Sequence, residues 1–261
     1  MSIDIVNSTT NPEQSFPKDH RVVVFGTHDD PESLAQTLTT SDEFDLVSAR
    51  HIVRSLPGII PRDLSRATAA AISTAVRELG LHAVAIPVEE TPSFLHAERF
   101  HHLQVSDDGL KVIHDIDSDA VWPWTAVSVI SVGVVPSDGP SRHRSPPTLA
   151  QGSFHKSWTD GVTIAPKMRA EAFVVLTGDT PPFIFASDEM NYEYLGVRML
   201  GSSSANFRML IKDLLSHAPT AWVTPSTRAF VDRGPVRHYE FRTRDDFRSY
   251  TEFQKLLSDL C

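Results

Sequence analysis

The run Arg21-Val22-Val23-Val24-Phe25-Gly26 and the turn after it constrain this chain more than any other stretch. A short β-branched and aromatic run of this kind reads as a buried strand. Gly26 and Thr27-His28-Asp29-Asp30-Pro31 then mark a turn. Asp30 can cap a helix whose first position is Pro31, where a missing N–H costs nothing, and Glu32 suits the positive end of the helix. The apolar positions Leu34, Ala35 and Leu38 continue it, and the pattern breaks near Ser41 to Glu43.

The same logic extends to residue 90. Leu46, Ala49, Ile52, Val53 and Leu56 recur at helical spacing over about Phe44 to Ser55, and Pro57-Gly58 stops that helix. Ser65 is the N-cap of a third helix with the stripe Ala69, Ile72, Val76 and Leu79, ended by Gly80. Leu81 to Val88 predicts a second strand, and Glu89-Glu90-Thr91-Pro92 closes the unit. The expected order is strand, three helices, strand.

From Ala49 to Ala85 the chain resembles, without gaps, the C-terminal domain of the bacterial ribosomal stalk protein. The residues that carry the resemblance are Leu46, Ala49-Arg50, Val53, Ser55 and Pro57, then Ser65, Ala69, Ala71, Ile72, Ala75, Val76, Glu78 and Gly80. It implies a β-α-α-α-β domain over residues 20–90. In that family, basic and apolar residues on the first two helices engage translation GTPases. Here Gln36 and Thr39 stand where the family carries positive charge, and only Arg50 keeps a cation, so the chain departs from that surface. The fold also serves in an adaptor that presents substrates to a bacterial protease, which implies peptide or protein binding as the shared use. Fold alone does not choose among these.

After a linker over residues 91–98, strand candidates follow one another at Phe100 to Val105, Leu110 to His114, Val127 to Val135, Ala172 to Thr177 and Pro182 to Ala186. Asp107-Asp108-Gly109 is a hairpin signal, because a tight turn needs positive backbone angles. The Pro- and Ser-rich segment over residues 135–152 predicts a mobile loop. Phe207, Leu210, Ile211 and Leu214 predict a helix over 204–216, and Phe247, Tyr250, Phe253 and Leu257 another over 244–260. Strands followed by an amphipathic helix resemble pleckstrin-homology-like domains. The whole is an α+β chain, with a stalk-like unit followed by a mostly antiparallel sheet domain over 99–261.

Composition bounds the function classes. The formal net charge of −9 argues against broad, charge-driven binding to nucleic acid or anionic lipid. No apolar run approaches the length of a spanning helix. Residues 1–19 predict a flexible tail without the features of a signal peptide. Cys261 is the single cysteine, so no disulfide within the chain and no thiolate metal site can form from it alone. A cytoplasmic location is the default that follows.

No catalytic, metal or cofactor pattern is complete. His96, Glu98, His101 and His102 come nearest to a metal set, yet neighbours on a strand point to opposite faces. Gly201-Ser202-Ser203-Ser204 fits a turn with a serine N-cap better than a nucleophile or phosphate loop. Trp122 and Trp124 suit a core edge or an interface anchor. Arg50 and Arg54 lie one helical turn apart, with Arg62 and Arg66 close behind, and together they form a candidate cationic surface for acidic protein groups. The expectation is a non-enzymatic interaction or scaffold protein with a protein partner. An enzyme or small-ligand receptor with a site in the second domain or between domains stays open, as does a lipid-binding module.

Overall fold

The computed structural model describes residues 17–113, 119–137 and 167–261. Most of the expected tail, most of the expected mobile loop and the end of the strand expected to reach His114 lie outside the described residues. The chain divides into two compact units, the first ending at Thr91 and the second starting at Pro92. Both helices and strands are present, so the α+β class holds.

The first unit comprises β1 (Lys18–Val24), α1 (Pro31–Leu38), α2 (Leu46–Arg54), β2 (Gly58–Ile59), β3 (Leu64–Ser65), α3 (Arg66–Glu78) and β4 (Ala83–Pro87). Strand β1 is central. Strand β4 runs antiparallel along one edge, from Val24↔Ala83 to His20↔Pro87, while β2 and β3 share the other. The strand begins at Lys18, ahead of the expected Arg21, because the backbone before it is held by β3. Between the helix stop at Pro57-Gly58 and the cap Ser65, no strand was expected, yet residues 58–59 and 64–65 form two-residue strands because β1 has a second edge whose N–H and C=O groups need partners.

The three helices start where their caps dictate. Asp30 Oδ1 accepts from the N–H groups of Glu32 and Ser33 at 3.1 and 3.2 Å, with Pro31 first in the helix. Asp45 accepts from Ser48 N–H at 2.9 Å, which sets the start of α2 at Leu46 instead of Phe44. Ser65 accepts from Thr68 N–H at 3.1 Å. Each such cap contributes about 1 kcal/mol. Gly80 follows α3 with φ of +84°, a conformation that favours glycine. Leu34, Leu38, Ala49, Ile72 and Val76 then pack with Val22 and Val24 into one core.

The second unit contains β5 (Glu98–Arg99), β6 (Leu103–Ser106), β7 (Gly109–Ile113), β8 (Asp119–Trp122), β9 (Val127–Pro136), β10 (Met168–Leu176), β11 (Phe183–Ala186), α4 (Ser203–His217), β12 (Trp222–Val223), α5 (Pro225–Val231) and α6 (Arg244–Leu260). A five-stranded sheet has the order β12-β9-β10-β11-β5, and β6-β7-β8 form a separate antiparallel meander. The centre of the large sheet is antiparallel as expected, but both short edge strands pair in parallel. Asp107-Asp108 link β6 and β7 in the predicted hairpin. At Gly109 a Cβ would lie 2.3 Å from Trp122 O, so the turn needs glycine on steric grounds as well.

The strand expected over 100–105 is broken. Phe100 N–H donates to Ile184 O at 2.9 Å and so prolongs the parallel pairing of β5, whereas Leu103 opens β6. Burial of the Phe100 ring against Phe183, 4.8 Å between centroids, decides this in favour of the core.

Both faces of the large sheet are covered, which explains why β9 and β10 are nearly continuous in apolar residues. Ala172, Val174 and Leu176 join Phe207, Leu210, Ile211 and Leu214 of α4 in one core. On the opposite face Phe173 and Val175 meet Phe247 of α6 and Phe94. Gly133 makes the second contact possible: a Cβ there would lie 2.6 Å from Phe247 and 2.8 Å from Phe241. Where β12 stops, Thr227 of α5 takes over its role, accepting from Val132 N–H at 2.8 Å and donating to Ile130 O at 3.1 Å.

Candidate interaction surface

The segment from Met190 to Gly201 carries the most unusual surface of the second unit. Soluble proteins expose single apolar side chains everywhere, but a contiguous group marks a contact site. Val197 is fully exposed, and Met199 and Leu200 are 55% and 52% exposed, within four residues of one another. The other large apolar residues that are exposed among the described residues stand singly in sequence, at Val47, Leu95, Val121, Val236 and Leu260.

This apolar tip is held at both ends. Tyr192 is buried and donates its hydroxyl proton to Ser187 O at 2.7 Å, and Leu195 is buried beside it. Burial, reinforced by Asp213, pushes the Tyr194 hydroxyl well up, so it stays protonated and donates to Asp213 Oδ2 at 3.1 Å. The same carboxylate receives both terminal nitrogens of Arg198, at 3.0 and 2.9 Å. Gly196 takes φ of +51°, which lets the chain reverse between Tyr194 and Arg198. Beyond the tip, the buried Asn206 of α4 reads both polar groups of Leu200: it accepts from the N–H at 2.7 Å and donates to the C=O at 2.9 Å. The exposed side chains therefore project from a backbone tied down at Leu200 and flanked by the Tyr194–Asp213–Arg198 bonds, which lowers the backbone entropy lost on binding.

Of the four arginines singled out from the sequence, two bond to carboxylates of their own unit. Arg50 makes a two-pronged pair with Glu32, at 2.9 and 2.6 Å, and hydrogen bonding from Arg50 holds the Glu32 carboxyl below the usual range. Arg62 lies 3.1 Å from Glu43 and over the Phe44 ring. Arg54 and Arg66 are exposed, and among the described residues neither has a carboxylate partner. Trp122 and Trp124 sit at the core edge: Trp122 packs on Phe183, and Trp124 Nε1–H donates to Ser106 O at 2.9 Å. Ser202, not Ser203 or Ser204, caps α4.

A buried charge network lies at the end of the large sheet. Glu171 is fully buried and accepts from Arg169 at 2.6 Å and from Arg244 at 2.8 Å, with Arg99 at 3.6 Å. Arg169 continues to Glu189 and Asp188, and Arg99 donates to Glu189 at 2.9 Å. Every carboxylate here is already met by guanidinium groups, which makes the cluster a structural joint between β10, β5 and α6. His101 is 3.9 Å from Glu189 and mostly exposed, and among the described residues no group of three or more His, Cys, Asp or Glu is arranged to hold a metal ion.

Partial burial works to raise the Glu189 carboxyl, but the hydrogen bonds and charges of Arg169 and Arg99 outweigh it and hold it below its ordinary value. A carboxyl depressed in the folded state contributes stability above its unfolded pKa of about 4.3 and loses it as pH falls through the folded one. Urea midpoints measured from pH 6 down to pH 3 should therefore drop less steeply below about pH 4.3 for Glu189→Gln than for wild type.

Comparison with family models, with characterised proteins and with solved structures finds no match to this chain. No helix among the described residues is long and apolar enough to cross a membrane. The apolar tip was missed from sequence because Val197, Met199 and Leu200 have no period. The signal available was three large apolar residues enclosed by Gly196 and Gly201, a composition unusual for a loop.

Proposed function

We propose that this chain is a non-enzymatic protein-binding module whose principal contact is the apolar tip Val197, Met199 and Leu200. The observation that carries this reading is the combination of exposed apolar side chains with a backbone held at Leu200 by Asn206 and flanking Tyr194 and Arg198 side chains held by Asp213. A contact site that is already ordered loses less freedom when a partner binds, which favours its use in binding. The resemblance of residues 20–90 to a domain used for docking proteins supports the same reading. In that unit Arg54, Arg66 and Arg77 are exposed and have no carboxylate partner among the described residues, so they are open to acidic groups of a partner.

The test is proximity labelling in cells with the wild-type chain and a Val197→Asp/Met199→Asp variant. Both positions are solvent-exposed, so the variant should melt within a few degrees of wild type, since such substitutions change stability by about 0.5 kcal/mol or less. The expected result is a defined set of neighbours labelled at least tenfold less by the variant, a factor that corresponds to about 1.4 kcal/mol of lost contact. Identical neighbour sets for the two proteins would remove the reading.

A further inference from the structure

His217, the last residue of α4, stands between two hydrogen-bond acceptors. Its Nδ1 is 2.8 Å from Asp213 O on its own helix, and its Nε2 is 3.5 Å from Asp107 Oδ1 in the turn between β6 and β7. A neutral imidazole carries one N–H and serves only one of them, whichever tautomer it adopts, so the other contact is left lone pair against lone pair. The doubly protonated ring donates to both. Its charge is further favoured by the C-terminal end of α4 and by the indole of Trp124, whose ring centroid lies 5.1 Å from that of His217. Trp124 is itself tied to the hairpin, since its Nε1–H donates to Ser106 O at 2.9 Å.

The remaining groups around the ring do not compete for its charge. The Ser216 hydroxyl, 3.1 Å from Nδ1, donates to Asp213 O at 2.8 Å. The Asp213 carboxylate is engaged by Tyr194 and Arg198. Lys111 alternates with Leu110 and Val112, which point into the core shared with α4, so it faces away from that helix. Lys212, five residues back on α4, lies about 140° round the helix. Asp108 is exposed beside Asp107, and among the described residues Asp107 is the one carboxylate in ion-pair distance of the ring.

We infer that His217 is a pH-sensitive latch, which ties the β6–β7 hairpin to the end of α4 when its ring takes up the second proton. The tie is present at the acid end of the histidine range and is lost as pH rises through it. The inference is independent of the protein-binding reading, since neither Asp107 nor His217 belongs to the apolar tip.

Tryptophan emission of the full chain, followed from about pH 8 to about pH 5, should fall in one step as the imidazolium forms against the indole. The step should disappear in both His217→Gln and Trp124→Phe. In Asp107→Asn it should remain but move to lower pH, since the carboxylate no longer favours the charged ring. Asp107 is exposed, so that variant should fold like wild type. Hydrogen exchange, corrected for the intrinsic effect of pH, should show the amides of β6 and β7 about twofold better protected at the acid end in wild type, and equally protected at both ends in His217→Gln. A step that survives His217→Gln, a midpoint unmoved by Asp107→Asn, or hairpin protection in wild type that is the same at both ends overturns the inference.

Discussion

Replacing Glu171 by Gln is expected to destabilise the second unit by about 3–5 kcal/mol, the usual cost of breaking a buried ion pair from one side. Glu171 is fully buried, and two guanidinium groups, Arg169 and Arg244, point hydrogen-bond donors at the same carboxylate oxygen. Arg244 is partly exposed and can turn outward, but Arg169 is 7% exposed at its side chain and cannot. Its charge would keep only the partial compensation of Asp188 and Glu189 at the rim. Gln can still accept at its single amide oxygen yet offers no charge, and its NH2 brings donors toward other donors. Urea unfolding at pH 7 measures the loss. A double replacement, Glu171→Met with Arg169→Met, should lose less than Glu171→Gln alone, because removing opposite buried charges together avoids the unpaired state. A loss below about 1 kcal/mol for Glu171→Gln would mean that water reaches the network.

The second large effect is expected at Phe247. This ring is fully buried and meets Phe173 and Phe241 at centroid distances of 5.3 and 5.0 Å. Phe247→Ala should cost about 3–5 kcal/mol, from lost burial plus the cavity left behind. Because α6 is also held by Thr251 to Ser131 and by Glu252 to Phe94 N–H, the helix should stay docked, and the loss should appear as a lowered midpoint without a new unfolding step. Gly133→Ala probes the same contact from the sheet side. A Cβ 2.6 Å from Phe247 overpacks the site, at about 1–3 kcal/mol. Combining Gly133→Ala with Phe247→Leu should cost less than the two separate losses together, since the smaller side chain makes room for the added methyl. Full additivity would place the strain elsewhere.

Local features of the chain were legible wherever one residue and its near neighbours decide the outcome. Asp30-Pro31 and Ser65 start helices in the structure as their cap chemistry requires, and Gly80 ends one in the left-handed conformation. The stripes of α4 and α6 were equally readable, because burial on one face repeats every three to four residues. Asp45 caps α2 by the same local chemistry, one residue beyond the apolar Phe44.

Short elements were not legible. Strands β2, β3, β5 and β12 are two residues long and exist only because a neighbouring strand presents unpaired backbone groups. Helix α5, at seven residues, is too short to show a stripe, and the side chain of Thr227 finds β9 across 95 residues of sequence.

The candidate sites divide along the same line. Arg50, Arg54, Arg62 and Arg66 are close in sequence, yet Arg50 bonds to Glu32 and Arg62 shares Glu43 with Lys18, while Arg54 and Arg66 have no carboxylate partner among the described residues. The sequence by itself determined where the longer helices and central strands begin, end and turn a greasy side inward, because caps and periodicity act within a few residues. Only the tertiary structure decided which charges are cancelled, which apolar side chains stay outside and which loop is rigid, because those depend on partners such as Asp213 and Asn206 that folding alone brings within reach of Arg198 and Leu200.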